Sequence, residues 1–210
     1  MRAGFSLIEV LVATATLAIA GLLGVGMLAG TLSSREALTE RQAQLADVDT
    51  LRLLLRDDLG QLALRPTRTF DGRATPIVLA GSEAGVDVWG EAARDGQVLL
   101  ALTRRGWANP GGIRARSSLQ RVEYVLTGEG LVRRATGFPD AVAGTPQSER
   151  LLLSGTQSVE LEFLVGTHWL AQGAVSLAPG AGPVPRAMRL RYEMPGLGEI
   201  EHVVLIGETA

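Results

Sequence analysis

Apolar positions change their period twice along this chain. From Phe5 to Ser34 they form a near-continuous run, and no residue between Glu9 and Arg35 is charged. That run exceeds the about 20 apolar residues a membrane helix needs. From Leu38 onward the apolar residues thin to one stripe. Leu38, Leu45, Val48, Leu51, Leu55, Leu59 and Leu62 recur at spacings of three, four and seven, the face of an amphipathic helix. Arg35, Glu36, Glu40, Arg41, Asp47, Asp49, Arg56 and Asp57 fall mostly off the stripe. Pro66 closes the pattern, since the residue before a proline avoids the α region. One helix from about Phe5 to about Ala63 is predicted, roughly 90 Å long at about 1.5 Å per residue. Leu53 and Leu54 blur the heptads, so the stripe reads as packing on the chain's own domain rather than as a coiled coil.

From Thr67 onward the period drops to two. Pro76 to Ala80, Gln97 to Thr103, Leu119 to Thr127, Leu131 to Ala135, Ser158 to Val165, Ala187 to Met194 and Ile200 to Ile206 are the predicted strands. Gly128-Glu129-Gly130 and Pro195-Gly196-Leu197-Gly198 supply two hairpin turns. Alternation implies antiparallel strands, each with one buried face. Gly173 to Arg186 and Gly137 to Ser148 read as loops, the first rich in Gly, Ala and Pro. The expected fold class is α+β: antiparallel sheets packed on a long amino-terminal helix. Residues 5–34 would be the membrane segment, 35–65 the amphipathic stem and 66–210 the β-rich domain.

Composition narrows the function classes. A net charge of -2 from 20 basic and 22 acidic residues gives no reason to expect nucleic acid as a partner. Every basic residue is Arg. Cysteine is absent, which removes disulfides, thiol chemistry and thiolate metal sites. Two histidines are few for a zinc site, and no dense Asp/Asn loop suggests calcium. No cofactor is expected.

Candidate catalytic groups are equally sparse. There is no Walker loop, no Gly-x-Ser-x-Gly elbow and no His-Glu-x-x-His. Asp57 and Asp58 are adjacent on the predicted stem and so point in different directions. Glu160 and Glu162 share a strand face and read as a solvated edge. His168 beside Trp169 reads as structural, and His202 as a surface residue of the final hairpin. The chain is not expected to be an enzyme.

The amino terminus supports three readings. A cleaved signal peptide fits Arg2 and the small residues near Ala29, yet the run is longer than the usual 7–15 apolar residues of such signals. A plain anchor fits its length. Charged groups inside a membrane are costly, and they mark function by default. A Glu9 near the helix end could simply snorkel to the headgroups.

The third reading rests on a motif. Gly4-Phe5-Ser6-Leu7-Ile8-Glu9 resembles the processing site of type IV pilins and pseudopilins. That resemblance implies cleavage after Gly4 by a prepilin peptidase, leaving residues 1–4 as a short leader, and methylation of the new amino terminus at Phe5. It also implies that Glu9 serves assembly. The ammonium of one subunit and the Glu9 carboxylate of another are each unfavourable in lipid and meet when subunits stack with an axial offset. A buried charge left unpaired is penalised heavily, so such a pair sets register.

A middle segment narrows the resemblance. Gly106-Trp107-Ala108-Asn109-Pro110, followed by Arg116-Ser117-Ser118-Leu119-Gln120-Arg121-Val122-Glu123-Tyr124, is similar to the J-type minor pseudopilins of type II secretion. Leu151-Leu152-Leu153-Ser154-Gly155 and the final hairpin also line up. Two departures are the insertion Gly111 to Ala115 and Thr136-Gly137-Phe138, where the family often carries tryptophan. Trp107 reads first as a packing anchor with an N–H partner. Trp107, Asn109 and Arg121 are also candidate contacts with a neighbouring pseudopilin, because Trp and Arg are enriched at hot spots. The resemblance implies a pilin-like subunit in the inner membrane, with its amino terminus cytoplasmic and its domain periplasmic. Its implied partners are other minor pseudopilins in a tip complex, the major pseudopilin, the prepilin peptidase and inner-membrane lipid. The implied work is to prime a fibre that helps folded proteins cross the outer membrane. A minor pilin of a type IV pilus is the neighbouring alternative.

Overall fold

One helix opens the chain, α1 (Leu7–Gly60), with no proline inside it. The computed structural model describes residues 6–90, 95–106, 117–140, 142 and 144–207. Gly4, Phe5, Trp107 and Asn109 lie outside the described residues. The chain divides into two units, Met1–Ala46 and Asp47–Ala210. In the first unit the described residues from Ser6 to Ala43 are all exposed. Leu38 and Leu45, the first two positions of the stripe, are exposed as well.

The second unit contains the domain. Here the stripe behaves as its period demands: Leu51, Leu55 and Leu59 are fully buried. The helix ends at Gly60, earlier than Ala63 and well before Pro66. The reason is competition for backbone groups. Leu62 bridges to Arg104, the Ala63 amide donates to the Thr103 carbonyl at 2.9 Å, and the Arg105 amide donates to the Gln61 carbonyl at 2.9 Å. These strand-type bonds replace the last helical turn.

Twelve strands follow among the described residues. β1 (Thr67–Arg68) and β2 (Ala74–Thr75) form a small pair. β3 (Ile77–Ser82), β4 (Gln97–Arg104), β5 (Gln120–Thr127), β6 (Gly130–Thr136), β7 (Gln147–Ser154) and β10 (Gln172–Ser176) build a six-stranded sheet in the order β10-β3-β4-β5-β6-β7. β8 (Val159–Val165), β9 (His168–Leu170), β11 (Ala187–Met194) and β12 (Gly198–Leu205) build a four-stranded sheet in the order β12-β11-β8-β9. The pairings are antiparallel throughout. All seven expected strands are present, and α+β is the fold class.

The main core joins all three layers. Leu51, Leu55, Leu59 and Leu62 of the helix and its exit pack with Leu79, Leu100, Leu102 and Val122 of the larger sheet. Leu161, Phe163, Met188 and Leu190 of the smaller sheet complete the cluster. Alternation sends Ala80 and Ala101 to the opposite face of the larger sheet, where Val88 and Trp89 cover them in a second cluster.

Two expectations about loops need correction. The segment from Gly173 is not all loop, because β10 pairs Gly173 with Gly81 on β3. Both glycines are required there: a Cβ at either would strike the Phe163 ring. β7 likewise begins at Gln147, inside the expected loop. Gly130, at φ +135, turns the β5–β6 hairpin where a side chain would collide with the Leu153 carbonyl.

Candidate assembly site

The first candidate region is the stem. An 18-residue window of α1 reaches a mean hydropathy of 2.2, so this helix is long and apolar enough to cross a membrane. Its apolar side chains are open: Leu22 is 73% exposed and Met27 79%. Exposed apolar area on this scale marks a lipid or protein contact. The hydroxyls in the run are satisfied locally. Thr14 bonds back to Val10, Thr16 to Val12, Thr31 to Met27 and Ser34 to Gly30, at 2.8 to 3.0 Å. A segment destined for lipid needs this internal satisfaction, since no water is available to complete it. Glu9 sits in the first turn, where a carboxylate complements the helix dipole. Its side chain is exposed.

The second region is buried, and the motifs of the sequence do not point to it. Asp58 is 0% exposed. Its Oδ1 accepts from Arg104 Nη1 and, at 2.8 Å, from Arg133 Nη2. Its Oδ2 accepts from Tyr124 Oη at 2.7 Å and Arg133 Nε at 2.7 Å. Asp57, half-exposed, reaches the same Arg104 Nη1 at 2.7 Å. One carboxylate of the stem thereby holds β4, β5 and β6 together. Burial pushes the Tyr124 phenol well above its ordinary value, helped by the Asp58 charge and hydrogen bond. For Arg133, burial disfavours the charge, but the bonds and charge of Asp58 outweigh it and raise the guanidinium above its ordinary value. One signal for this site is present in the sequence. Leu51, Leu55, Asp58 and Leu62 run at spacings of four, three and four, so Asp58 occupies a position on the apolar stripe. A charge on such a stripe calls for a buried partner.

Arg121 is the one candidate contact residue in the globular part that the structure describes. It is 3% exposed and lies over the Trp89 ring at 3.9 Å and the Phe70 ring at 4.9 Å. Trp89 Nε1 donates to Thr67 Oγ1 at 3.0 Å. Arg121 is therefore an internal cation–π spacer, and a bearing on partners would run through the elements it holds.

Glu160 and Glu162 lie on the part of β8 that β9 does not reach, since β9 pairs only with Phe163 to Val165. There β11 is the paired neighbour, and the carboxylates face Arg189 and Arg191 across that strand pair rather than standing free in solvent. Arg191 reaches Glu160 at 3.0 Å and Glu162 at 3.1 Å, and Arg189 reaches Glu162 at 3.2 Å. Arg189 also stacks on Trp169 at 4.0 Å. His168 is exposed, whereas His202 is buried at 6% exposure and paired with Tyr192, which corrects the surface reading. The register explains it: His202 lies opposite Leu190 on the core face. Among the described residues no group of three His, Asp or Glu side chains is placed to hold a metal ion.

The comparisons with known proteins agree with this geometry. The family model described as type II secretion system, protein J, matches residues 26–206. The type II secretion system protein J of Vibrio cholerae serotype O1 is 32% identical over 205 residues, covering 98% of this chain and 87% of that protein. The protein of the same name from Escherichia coli is 30% identical, covering 98% of this chain and 96% of that protein. Among solved structures, a chain of the GspK-GspI-GspJ complex from the type 2 secretion system of enterotoxigenic Escherichia coli superposes with a TM-score of 0.63. It is 28% identical and covers 80% of this chain and 99% of its own. The family match spans the helix end, both sheets and the final hairpin, and on it the chain belongs to the type II secretion system protein J family.

Proposed function

We propose that this chain is a minor pseudopilin that joins other minor pseudopilins at the tip of a short fibre and helps prime its assembly. The observation that carries the reading is the pairing of an exposed apolar helix, uncharged from Val10 to Ser34, with a domain of this family's fold. The role is structural. Its partners would be an I-type and a K-type pseudopilin, as in the related complex, with the major pseudopilin below them.

In this account residues 1–4 are a leader, a prepilin peptidase cleaves after Gly4, and Phe5 becomes the methylated amino terminus. Residues 5–34 lie in the inner membrane, residues 35–65 form the stem and residues 66–210 face the periplasm. Glu9 pairs with the amino terminus of a neighbouring subunit. Trp107 and Asn109 are candidate contacts beside that assembly. The fibre would help move folded proteins through an outer-membrane channel.

Mass spectrometry of the chain recovered from membranes, together with its co-purifying proteins, tests this. A mature terminus at N-methyl-Phe5 and recovery of the two partner pseudopilins are expected. A terminus near residue 30, with the chain recovered alone, contradicts it.

A further inference from the structure

His202 occupies a place the assembly account does not use. It lies on the core face of β12, and its Nε2 is 3.1 Å from the Tyr192 hydroxyl on β11. The two rings are 5.7 Å apart and inclined by 33°. On the helix side the charged groups that act on it are Arg52 and Asp49, both exposed and both within the first turns of α1 inside the domain. The neighbouring charges of its own hairpin point elsewhere. Glu201 lies opposite Arg191 on the other face of the sheet, and Arg189 reaches Glu201 there.

The core face that His202 shares with Tyr192, Ile200 and Val204 packs in one cluster with Leu51 and Leu55 of the stem helix. We propose that His202 is a proton-sensitive clasp: neutral, it keeps that face of the β11–β12 hairpin seated in the cluster, and protonated, it loosens that seating. The neutral ring accepts or donates one bond to Tyr192 and buries without a charge. The protonated ring has two donors, so Nε2 can only donate to the tyrosine oxygen. A new positive charge then sits almost out of solvent, opposed by Arg52 and only partly offset by Asp49. Burial, with Arg52 adding to it, holds the imidazole below its ordinary value of 6.5, and Asp49 acts in the opposite sense. The sign follows. A loosened hairpin binds the proton more readily than a docked one, so the clasp is at full strength above pH 6.5 and weakens as the pH falls below it. Because histidine titrates near neutrality, this is a switch that an acidified compartment could throw.

Amide hydrogen exchange on the full-length chain in detergent tests the proposal. Between about pH 7.5 and about pH 5.5, corrected for intrinsic exchange, protection of Ile200 to Ile206 should fall at least about threefold more than protection of β5. His202→Gln should abolish that difference. Should that variant fail to fold, two exposed helix substitutions decide the matter. Arg52→Gln should move the midpoint to higher pH, and Asp49→Asn should move it to lower pH. A β12 response equal to that of β5, a His202→Gln response like the parent's, or unmoved midpoints in both helix variants would overturn the clasp.

Discussion

Asp58 on the stem helix and Arg133 on β6 form a two-pronged ion pair, Nε to Oδ2 at 2.7 Å and Nη2 to Oδ1 at 2.8 Å, with the carboxylate wholly buried. Charges are rarely buried without such a match, because each loses its hydration. Arg104 and Tyr124 complete the carboxylate's set of donors. The result is directional. Leu51, Leu55 and Leu59 bury area but tolerate small sliding, whereas hydrogen bonds from three side chains to one carboxylate fix where the helix end sits on the sheet.

Removing that carboxylate should therefore be severe. Asp58→Ala leaves the largely buried Arg133 guanidinium without its carboxylate and Arg104 with Asp57 alone, and is expected to destabilise the domain by about 3–5 kcal/mol. Asp58→Asn keeps the shape but loses the charge, and its stability should fall between those of the parent and Asp58→Ala. Denaturant unfolding of the full chain in detergent checks both. A loss under about 1 kcal/mol for Asp58→Ala would mean the network carries little stability.

The exposed ladder gives the contrasting expectation. Glu201, half-exposed, reaches Arg189 only at 3.5 Å. Glu201→Gln should change stability by less than about 1 kcal/mol, and less still at high salt. The same unfolding assay at two ionic strengths decides.

Arg121 separates packing from charge. Arg121→Lys keeps the charge but loses the flat guanidinium that stacks on Trp89. A loss of about 1–2 kcal/mol is expected, with a changed Trp89 environment visible in fluorescence quenching. Unchanged quenching and stability would remove the stacking role.

Alkaline pH probes the two tyrosines, Tyr124 and Tyr192, the only ones in the chain. Burial pushes Tyr192 up to about 12 and Tyr124 well above its ordinary value of 10.0. A raised folded value means the unfolded chain releases these protons first. The stabilisation is present below pH 10.0 and is lost as the pH rises above it. Phenolate absorbance should stay flat up to about pH 11 in the folded chain and appear together with unfolding. Early, independent ionisation would contradict the burial of these rings.

Legibility follows the physics of each element. Strands with strict alternation are readable: the pattern of Ala187 to Met194 matches β11 residue for residue, because period two and a Pro-Gly turn leave little freedom. The helix end is not readable, because Leu62 and Ala63 join β4 through backbone bonds that side-chain patterns do not encode. β10 is hidden because Gly173 fits it only beneath Phe163, a residue on another strand that leaves no local signal. His202 reads as a surface residue because its neighbours Glu199 and Glu201 are charged, although alternation puts it with Val204 on the buried face. Asp58 is obscured by its twin Asp57, which looks equivalent, yet only Asp58 lies on the leucine stripe. Glu9 stands out because a carboxylate at the head of an uncharged run has few explanations.

We infer that Glu9 serves assembly rather than membrane insertion. Exoprotein release from cells whose sole copy carries Glu9→Leu tests it most directly, with membrane content of the chain measured in parallel. Normal membrane content is expected, with release reduced at least about tenfold by loss of a register-setting charge pair. Normal release at normal membrane content would contradict it.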